Sequence, residues 1–321
     1  MKPQYVGLVG DIGGTNARFA LIDSAGHVRN PHTLKAADYS SLGEAITRYL
    51  QQTTGRQRPT RAVLAVAGPV VDGEIAFTNL SWQVSECDLL AQFEFEGVKL
   101  LNDFAAQALA APLLEPDNLR VLGPAVPAAA GGPLVVMGAG TGFGVAGLAR
   151  GTLRDIPIST EGGHAGFAPS DEVEIELWKR QQAKFGRVSI ERLLSGSGIY
   201  DIYQGLAEIS GWEAPLTSEM AVSEAAATDP LAAATLDRFC GIMGSVAGDL
   251  ALTFGARGGV FISGGIAPRL ADRLASGSFR ARFEDKDRLS EYLREIPTSL
   301  VLHPYPAILG AARQLLQMER L

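Results

Sequence analysis

Two stretches of this chain repeat one design: an apolar run, a glycine-rich turn carrying threonine, and a second apolar run. Tyr5-Val6-Gly7-Leu8-Val9 leads through Gly10-Asp11-Ile12-Gly13-Gly14-Thr15-Asn16-Ala17-Arg18 into Phe19-Ala20-Leu21-Ile22. Pro133-Leu134-Val135-Val136-Met137 leads through Gly138-Ala139-Gly140-Thr141-Gly142-Phe143-Gly144 into Val145-Ala146-Gly147-Leu148-Ala149. Apolar β-rich runs on both sides of such turns read as β-hairpins. A lone Gly-Gly hairpin is first of all a plain turn; a second copy, with threonine in the same place, points to a duplicated fold gripping phosphate from two sides. Neither copy is a P-loop, because no Gly-Lys-Ser/Thr follows. Neither is a dinucleotide fingerprint, because a strand rather than a helix comes next. Successive backbone N–H groups in such turns form a concavity for an anion, and the missing Cβ atoms let a phosphate approach closely. Gly10, Asp11, Ile12, Gly13, Gly14 and Thr15, with Gly140 and Thr141, are therefore the candidate phosphate contacts. Asp11 is the candidate ligand for a Mg²⁺ bridging the phosphates, directly or through water.

A third glycine cluster, Gly258-Gly259-Val260-Phe261-Ile262-Ser263-Gly264-Gly265-Ile266, reads as a buried strand ending in Gly-Gly at the start of a helix. Gly264 and Gly265 there would admit a flat group such as adenine or ribose, although alone the pattern is a common strand-to-helix turn. Ahead of it, Asp229 and Pro230 open a long helix as N-cap and first-turn residue. Its Gly241, Gly244 and Gly248 are expected to allow close packing. The charged Asp237, Arg238 and Asp249 keep it out of a bilayer.

Polar chemistry clusters elsewhere. Gly97 to Leu101 reads as a strand, Asn102-Asp103 as its exit and Phe104 to Ala110 as the following helix. Asp103 in that place is either an N-cap or a base for a reacting hydroxyl. Glu161-Gly162-Gly163-His164 sets a carboxylate and an imidazole three residues apart across two glycines, in a loop rather than a metal-binding helix. Structural hydrogen bonding and ligand binding both remain open for that pair. Glu191, early in a predicted helix, fits an ordinary dipole-favourable residue.

The composition removes several classes. Lys plus Arg total 28 against 35 Asp plus Glu, a net charge of -7, which argues against nucleic acid as a partner. Two cysteines, Cys87 and Cys240, are too few for a disulfide framework or a Cys-rich zinc site, and suggest a reducing compartment. Met1 to Tyr5 shows no secretory pattern, so a cytoplasmic location without a membrane span is expected.

In order, Gly-Asp-x-Gly-Gly-Thr-Asn-x-Arg, Leu-Asn-Asp-Phe, Gly-Ala-Gly-Thr-Gly, Glu-Gly-Gly-His, Leu-Ser-Gly-x-Gly and Ser-Gly-Gly-Ile make the chain resemble the bacterial glucokinases. The resemblance runs from residue 5 to Pro306-Ala307-Ile308-Leu309-Gly310-Ala311-Ala312. It implies an α/β, two-domain actin-like ATPase fold of the ribonuclease H-like kind with an interdomain cleft, and ATP- and Mg²⁺-dependent phosphorylation of glucose at its 6-hydroxyl. It implies Asp103 as general base touching the 4- and 6-hydroxyls, Asn102 on neighbouring ring hydroxyls, and Glu161 and His164 near the anomeric end. Glu191 enters as a third sugar ligand on the family pattern alone. The zinc motif of related sugar kinases and repressors is missing, since no Cys lies between Cys87 and Cys240, so zinc is not expected. A helix-turn-helix ahead of the first strand, as in the related repressors, is not expected. A homodimer is the family expectation.

The Pro-rich stretch from Pro112 to Pro133 marks a crossover. It suggests a small domain of residues 1–110 with 301–321 and a large domain of 111–300, with Asp103 facing the cleft from one side and Glu161, His164 and Glu191 from the other. Two alternatives stay open: a kinase for another hexose or an N-acetylhexosamine, and a sugar-sensing regulator without turnover. Retention of Asp11, both Gly-Thr turns and Asp103 speaks against the regulator.

Overall fold

A computed structural model describes residues 5–54, 58–77, 80 and 82–318. In it the chain divides into two units, one of residues 1–114, 151–159 and 303–321 and the other of 115–150 and 160–302. The first unit takes in residues 151–159, which the sequence assigns to the larger domain; the buried Asp155 is ion-paired there with Arg313 of the last helix.

In the first unit, β1 (Tyr5–Ile12) and β2 (Asn16–Asp23) form the first hairpin, with Asp11 opposite Arg18 and Ile12 opposite Ala17. β3 (Val28–Lys35) continues the meander beside β2, and β4 (Arg61–Val66) lies parallel to β1 on its other side. A small antiparallel pair, β5 (Glu74–Ala76) and β6 (Gln83–Ser85), precedes β7 (Gly97–Asn102), which is parallel to β4. The sheet order is β3-β2-β1-β4-β7. β4 is buried along nearly its whole length, as a parallel strand covered on both faces must be. Leu8, Ile12, Phe19, Ile46, Tyr49 and Leu64 form the centre of one core. The helix Pro306–Met318 crosses the helix Asp103–Ala110 so closely that a Cβ on Gly310 would fall on the Ala106 carbonyl.

The turn after β2 carries a pH-dependent contact. The Asp23 carboxylate accepts from Ala25 N at 3.0 Å, His27 N at 2.9 Å and Arg29 Nε at 2.8 Å. The His27 amide and the Arg29 guanidinium are the chief causes that draw its pKa down to about 2. A depressed carboxylate stabilises the fold above its ordinary pKa and loses that contribution as the pH falls toward 2. Asp23→Asn, which cannot pair with Arg29, is expected to melt about 2–4 °C below the parent at pH 7. The gap should close between about pH 4 and 2; a gap independent of pH in thermal melts would refute this.

In the second unit, β8 (Leu119–Val121) is followed by the second hairpin, β9 (Leu134–Ala139) and β10 (Phe143–Ala149). Thr160, which ends β11 (Ile156–Thr160) and is its one residue in this unit, donates its hydroxyl to Val145 O at 2.8 Å. β12 (Gly259–Ser263) is parallel to β9, and β13 (Thr298–Val301) is parallel to β12. Strands β8, β9, β10, β12 and β13 run in the order β10-β9-β12-β13-β8. The hairpin-plus-two-parallel-strands pattern of β2-β1-β4-β7 is thus repeated in β10-β9-β12-β13, the duplication that the paired turns predict. Asp229 caps the helix Pro230–Phe254 through Leu231 N and Ala232 N, at 2.8 and 3.0 Å. Among the described residues no helix is long and apolar enough to cross a membrane.

The segment Phe279 to Lys286 has a structural role. A Cβ on Gly244 would fall on the Phe279 carbonyl and one on Gly248 would lie 2.5 Å from the Phe283 carbonyl, so the helix Phe279–Glu284 packs directly on the glycine stripe of the long helix. Arg280 is buried and donates to the carbonyls of Leu293, Arg294 and Ile296, closing the end of the helix Ser290–Arg294. Arg282 reaches the fully buried Glu174 at 2.8 Å, and Lys286 reaches Asp249 at 2.7 Å.

Candidate active site

The strand register of the first unit sets its candidate residues at one end of the sheet. Ile12 is opposite Val66, and Val66 is opposite Asn102. The first turn and the Asn102-Asp103 exit therefore both lie at the carboxyl ends of parallel strands, where open α/β sheets bind ligands. With one strand between them, they are separated by about 10 Å.

The turn itself is three residues, 13–15, closed by Gly13 N donating to Asn16 O at 2.9 Å. Ala36 N anchors its last carbonyl, Thr15 O, at 2.9 Å, and the Thr15 side of the turn is exposed. Asp11 is one residue before the end of β1. Its Oδ2 accepts from Arg18 Nη1 at 3.1 Å across the hairpin, and its side chain is only 20% exposed. Burial pushes the Asp11 carboxyl above its ordinary range, and Arg18 opposes that only in part. A nearby divalent cation would favour the ionised form. One carboxylate at the edge of a polar turn suits Mg²⁺, which keeps most of its waters and takes one or two carboxylates beside phosphate oxygens. Arg18, the partner of the candidate Asp11, lies in the same motif but was given no role from the sequence. Pairing Asp11 with its partner across the short turn would have found it.

At the exit of β7 the structure corrects the capping alternative for Asp103. Asn102, not Asp103, is the N-cap: its Oδ1 accepts from Phe104 N at 3.0 Å and Ala105 N at 3.2 Å, while its Nδ2 donates to Gly68 O at 3.3 Å. Asp103 is the first helical residue, half-buried, with its Oδ1 accepting from Phe104 N at 2.9 Å.

The second unit gathers its candidates around Phe143. The turn between β9 and β10 is again three residues, 140–142, but it closes differently, with Gly140 N donating to Gly142 O at 2.8 Å. Thr141 is the middle residue of this turn, whereas Thr15 is the last of the first. Gly140 O accepts from Gly196 N at 2.9 Å, which ties the turn to the capped start of the helix Gly196–Ser210. Glu161 precedes and His164 ends a single 3₁₀ turn, Gly162–His164, with both residues exposed. Gly163 within it is buried, and a Cβ there would fall on the Phe143 carbonyl oxygen. Glu191 is in a 3₁₀ turn, Ile190–Arg192, rather than in an α-helix, and its Oε2 accepts from Phe143 N at 2.9 Å. Its Oε1 is 4.0 Å from His164 Nδ1. The segments carrying these groups pair with each other, through Phe167 N to Val188 O at 3.1 Å and Ile190 N to Ala165 O at 3.0 Å. Phe143 and Gly163 were not singled out from the sequence; an apolar strand residue and a loop glycine carry no chemical signal of their own.

Gly264 and Gly265 lie at the end of β12, beside the second turn. Ser263 is opposite Gly138 in register, and Ile266 N donates to Ala139 O at 3.3 Å. Gly264 has φ +86°, and a Cβ would sit 2.5 Å from the Ala139 carbonyl, so a side chain is barred on both grounds. The Gly-Gly pair leads into a 3₁₀ turn, Ala267–Leu270, and only then into the helix Ala271–Ser276, so no α-helix N-terminus begins directly at it. Where Cβ atoms of Gly140 and Gly265 would be, nothing lies within 4 Å. Two open backbone surfaces at the ends of adjacent parallel strands match the cradle a nucleotide needs.

The family model for glucokinase matches residues 8–318. A glucokinase of Caulobacter sp. (strain K31) is 50% identical over 311 residues, covering 96% of this chain and 94% of that protein. One of Chromohalobacter salexigens is 46% identical over 310 residues, covering 96% and 97%. The crystal structure of a glucokinase from an Antarctic psychrotroph has a TM-score of 0.89 at 40% identity, covering 96% of this chain and 98% of that one. A ROK family glucokinase from Streptomyces griseus, solved with glucose and AMPPNP, shares the fold at a TM-score of 0.63 and 17% identity over 96% of this chain and 98% of that one.

Proposed function

The chain belongs to the glucokinase family, and on that premise we propose that it transfers the terminal phosphoryl group of ATP to the 6-hydroxyl of glucose with Asp103 as the base. It is an ATP-dependent glucose-phosphorylating kinase with the two-domain actin-like fold of the sugar kinases. The observation that carries the assignment of Asp103 is the division of labour at the β7 exit. Asn102 caps the helix, so the neighbouring carboxylate is not needed for that purpose.

In the proposed reaction the Asp103 carboxylate accepts a hydrogen bond from the 6-hydroxyl and orients its oxygen toward the γ-phosphorus. As the new P–O bond forms and the bond to the ADP oxygen breaks, the hydroxyl proton passes to Asp103 and from there to water. The transition state is loose, so placement and charge neutralisation matter more than strong base catalysis. Backbone amides of Gly13 to Thr15 and of Gly140 to Gly142 are proposed to hold phosphate oxygens, with the exposed Thr15 and Thr141 hydroxyls beside them. Asp11 would hold the Mg²⁺ of Mg-ATP, directly or through water, and that ion supplies neutralisation of the phosphate charge. Gly264 and Gly265 would border the nucleoside. Asn102, Glu161, His164 and Glu191 are proposed to bind ring hydroxyls, the exposed Glu161 and His164 near the anomeric carbon.

Release of ADP from Mg-ATP tests this reading with glucose, mannose, fructose, N-acetylglucosamine and no sugar. Turnover with glucose well above the other sugars and above the sugar-free background is expected. Turnover confined to another sugar would overturn the glucose assignment while keeping the chemistry. Turnover with none would overturn the kinase reading.

A further inference from the structure

Glu191 has a second partner that binding a sugar hydroxyl does not require. Its Oε2 accepts the Phe143 amide at 2.9 Å, the first amide after the Gly140–Gly142 turn. The same oxygen is 2.5 Å from the position a Gly142 Cβ would occupy, so the carboxylate lies against the turn itself. Its other oxygen is 4.0 Å from His164 Nδ1, and the side chain is 31% exposed. Phe143 is held from its other side by the buried Gly163, packed against its carbonyl. One carboxylate thus touches both the sugar-type loop and the phosphate-type turn.

We propose that Glu191 is a positioning residue that couples sugar occupancy to the nucleotide: a sugar hydroxyl on Oε1 fixes the carboxylate, and Oε2 then fixes the Phe143 amide and the turn that receives the phosphates. This rests on the assignment of glucose to the Glu161, His164 and Glu191 cluster. A long carboxylate side chain left mobile must lose rotamer freedom when the turn is ordered. A bound sugar removes that cost in advance, so the nucleotide that follows binds more tightly. Linkage makes the effect reciprocal, and the nucleotide tightens the sugar by the same factor. The carboxylate charge does not help bind the phosphates, since it faces an anion. Its value at this place is as a hydrogen-bond acceptor for the backbone, and glycine at position 142 leaves the carboxylate room against the turn.

The test is calorimetric titration of Mg-AMPPNP into wild type, Glu191→Gln and Glu191→Ala, each with and without saturating glucose, alongside glucose turnover. Glucose is expected to tighten AMPPNP about fivefold or more in wild type. Glu191→Ala should bind AMPPNP equally with and without glucose. Glu191→Gln keeps an acceptor for the Phe143 amide and should retain a ratio between the two. A purely structural role would weaken binding in both states and leave the ratio intact, so an unchanged ratio in Glu191→Ala overturns the proposal. Should that variant fail to fold, Gly142→Ala, whose methyl displaces Oε2 from the turn, is expected to lower the ratio, and an unchanged ratio there overturns it equally. A wild type that turns over glucose but binds AMPPNP indifferently to it also overturns the proposal while leaving the kinase assignment standing. A wild type that turns over no sugar fails the assignment and this inference together.

Discussion

Asp103→Asn is expected to lower kcat about 10²–10⁴-fold while leaving the KM for glucose within about tenfold of wild type. The substitution is nearly isosteric. The amide oxygen can still accept from Phe104 N, as the carboxylate Oδ1 does at 2.9 Å, and the cap on the helix Asp103–Ala110 belongs to Asn102 and is untouched. The helix and the sugar contacts should therefore survive. What disappears is the group that takes the hydroxyl proton, and an amide has no comparable basicity. Asp11 cannot take over, because it lies on β1, with β4 between it and β7, and its carboxylate is already engaged by Arg18 at 3.1 Å. Steady-state kinetics with glucose and ATP check the split between kcat and KM. A kcat within a few-fold of wild type would remove Asp103 from the role of base, and a large rise in KM with kcat preserved would recast it as a sugar ligand only.

The duplicated hairpins were legible because strands and turns are written in local sequence: apolar residues flank glycine-rich turns, and both turns are only three residues long. The same holds for the Asp229-Pro230 start of the long helix and for the glycine stripe against which Phe279 and Phe283 pack. Contacts between distant segments were not legible. Glu191 and Phe143 are 48 residues apart, and no local pattern marks the amide that the carboxylate holds. The sequence left Asp103 open between cap and base because Asn and Asp are equally good caps, and only the backbone hydrogen bonds give the cap to Asn102. Residues 151–159 looked like part of the segment they interrupt. Asp155, charged and buried against Arg313, belongs to the first unit for a reason visible only in three dimensions. Arg280 lies in a charged stretch with no local mark of burial, yet its Nη1 and Nη2 donate to the carbonyls of Leu293, Arg294 and Ile296 at a helix end.

Gly163→Ala should raise the KM for glucose about 5–100-fold with a smaller effect on kcat, whereas Gly166→Ala, three residues on, should behave like wild type. At Gly163 the added methyl would fall on the Phe143 carbonyl oxygen, and both sides of that contact are backbone. Phe143 cannot yield easily. It pairs with Ala139 across the second hairpin, and its amide is held by Glu191. The turn Gly162–His164 must therefore move away from β10, taking Glu161 and His164 with it. Overpacking of this kind costs about 1–3 kcal/mol, and each 1.4 kcal/mol of lost binding is about tenfold in affinity, which sets the expected range. Nothing lies within 4 Å of a Cβ on Gly166, so the same methyl there tests for a general effect of stiffening the loop. Paired glucose titrations and thermal melts distinguish the possibilities. If Gly163→Ala binds glucose as wild type does while losing stability, the loop's seat on Phe143 serves the fold alone. If it melts normally but binds glucose poorly, the placement of Glu161 and His164 against the second hairpin is what the sugar reads.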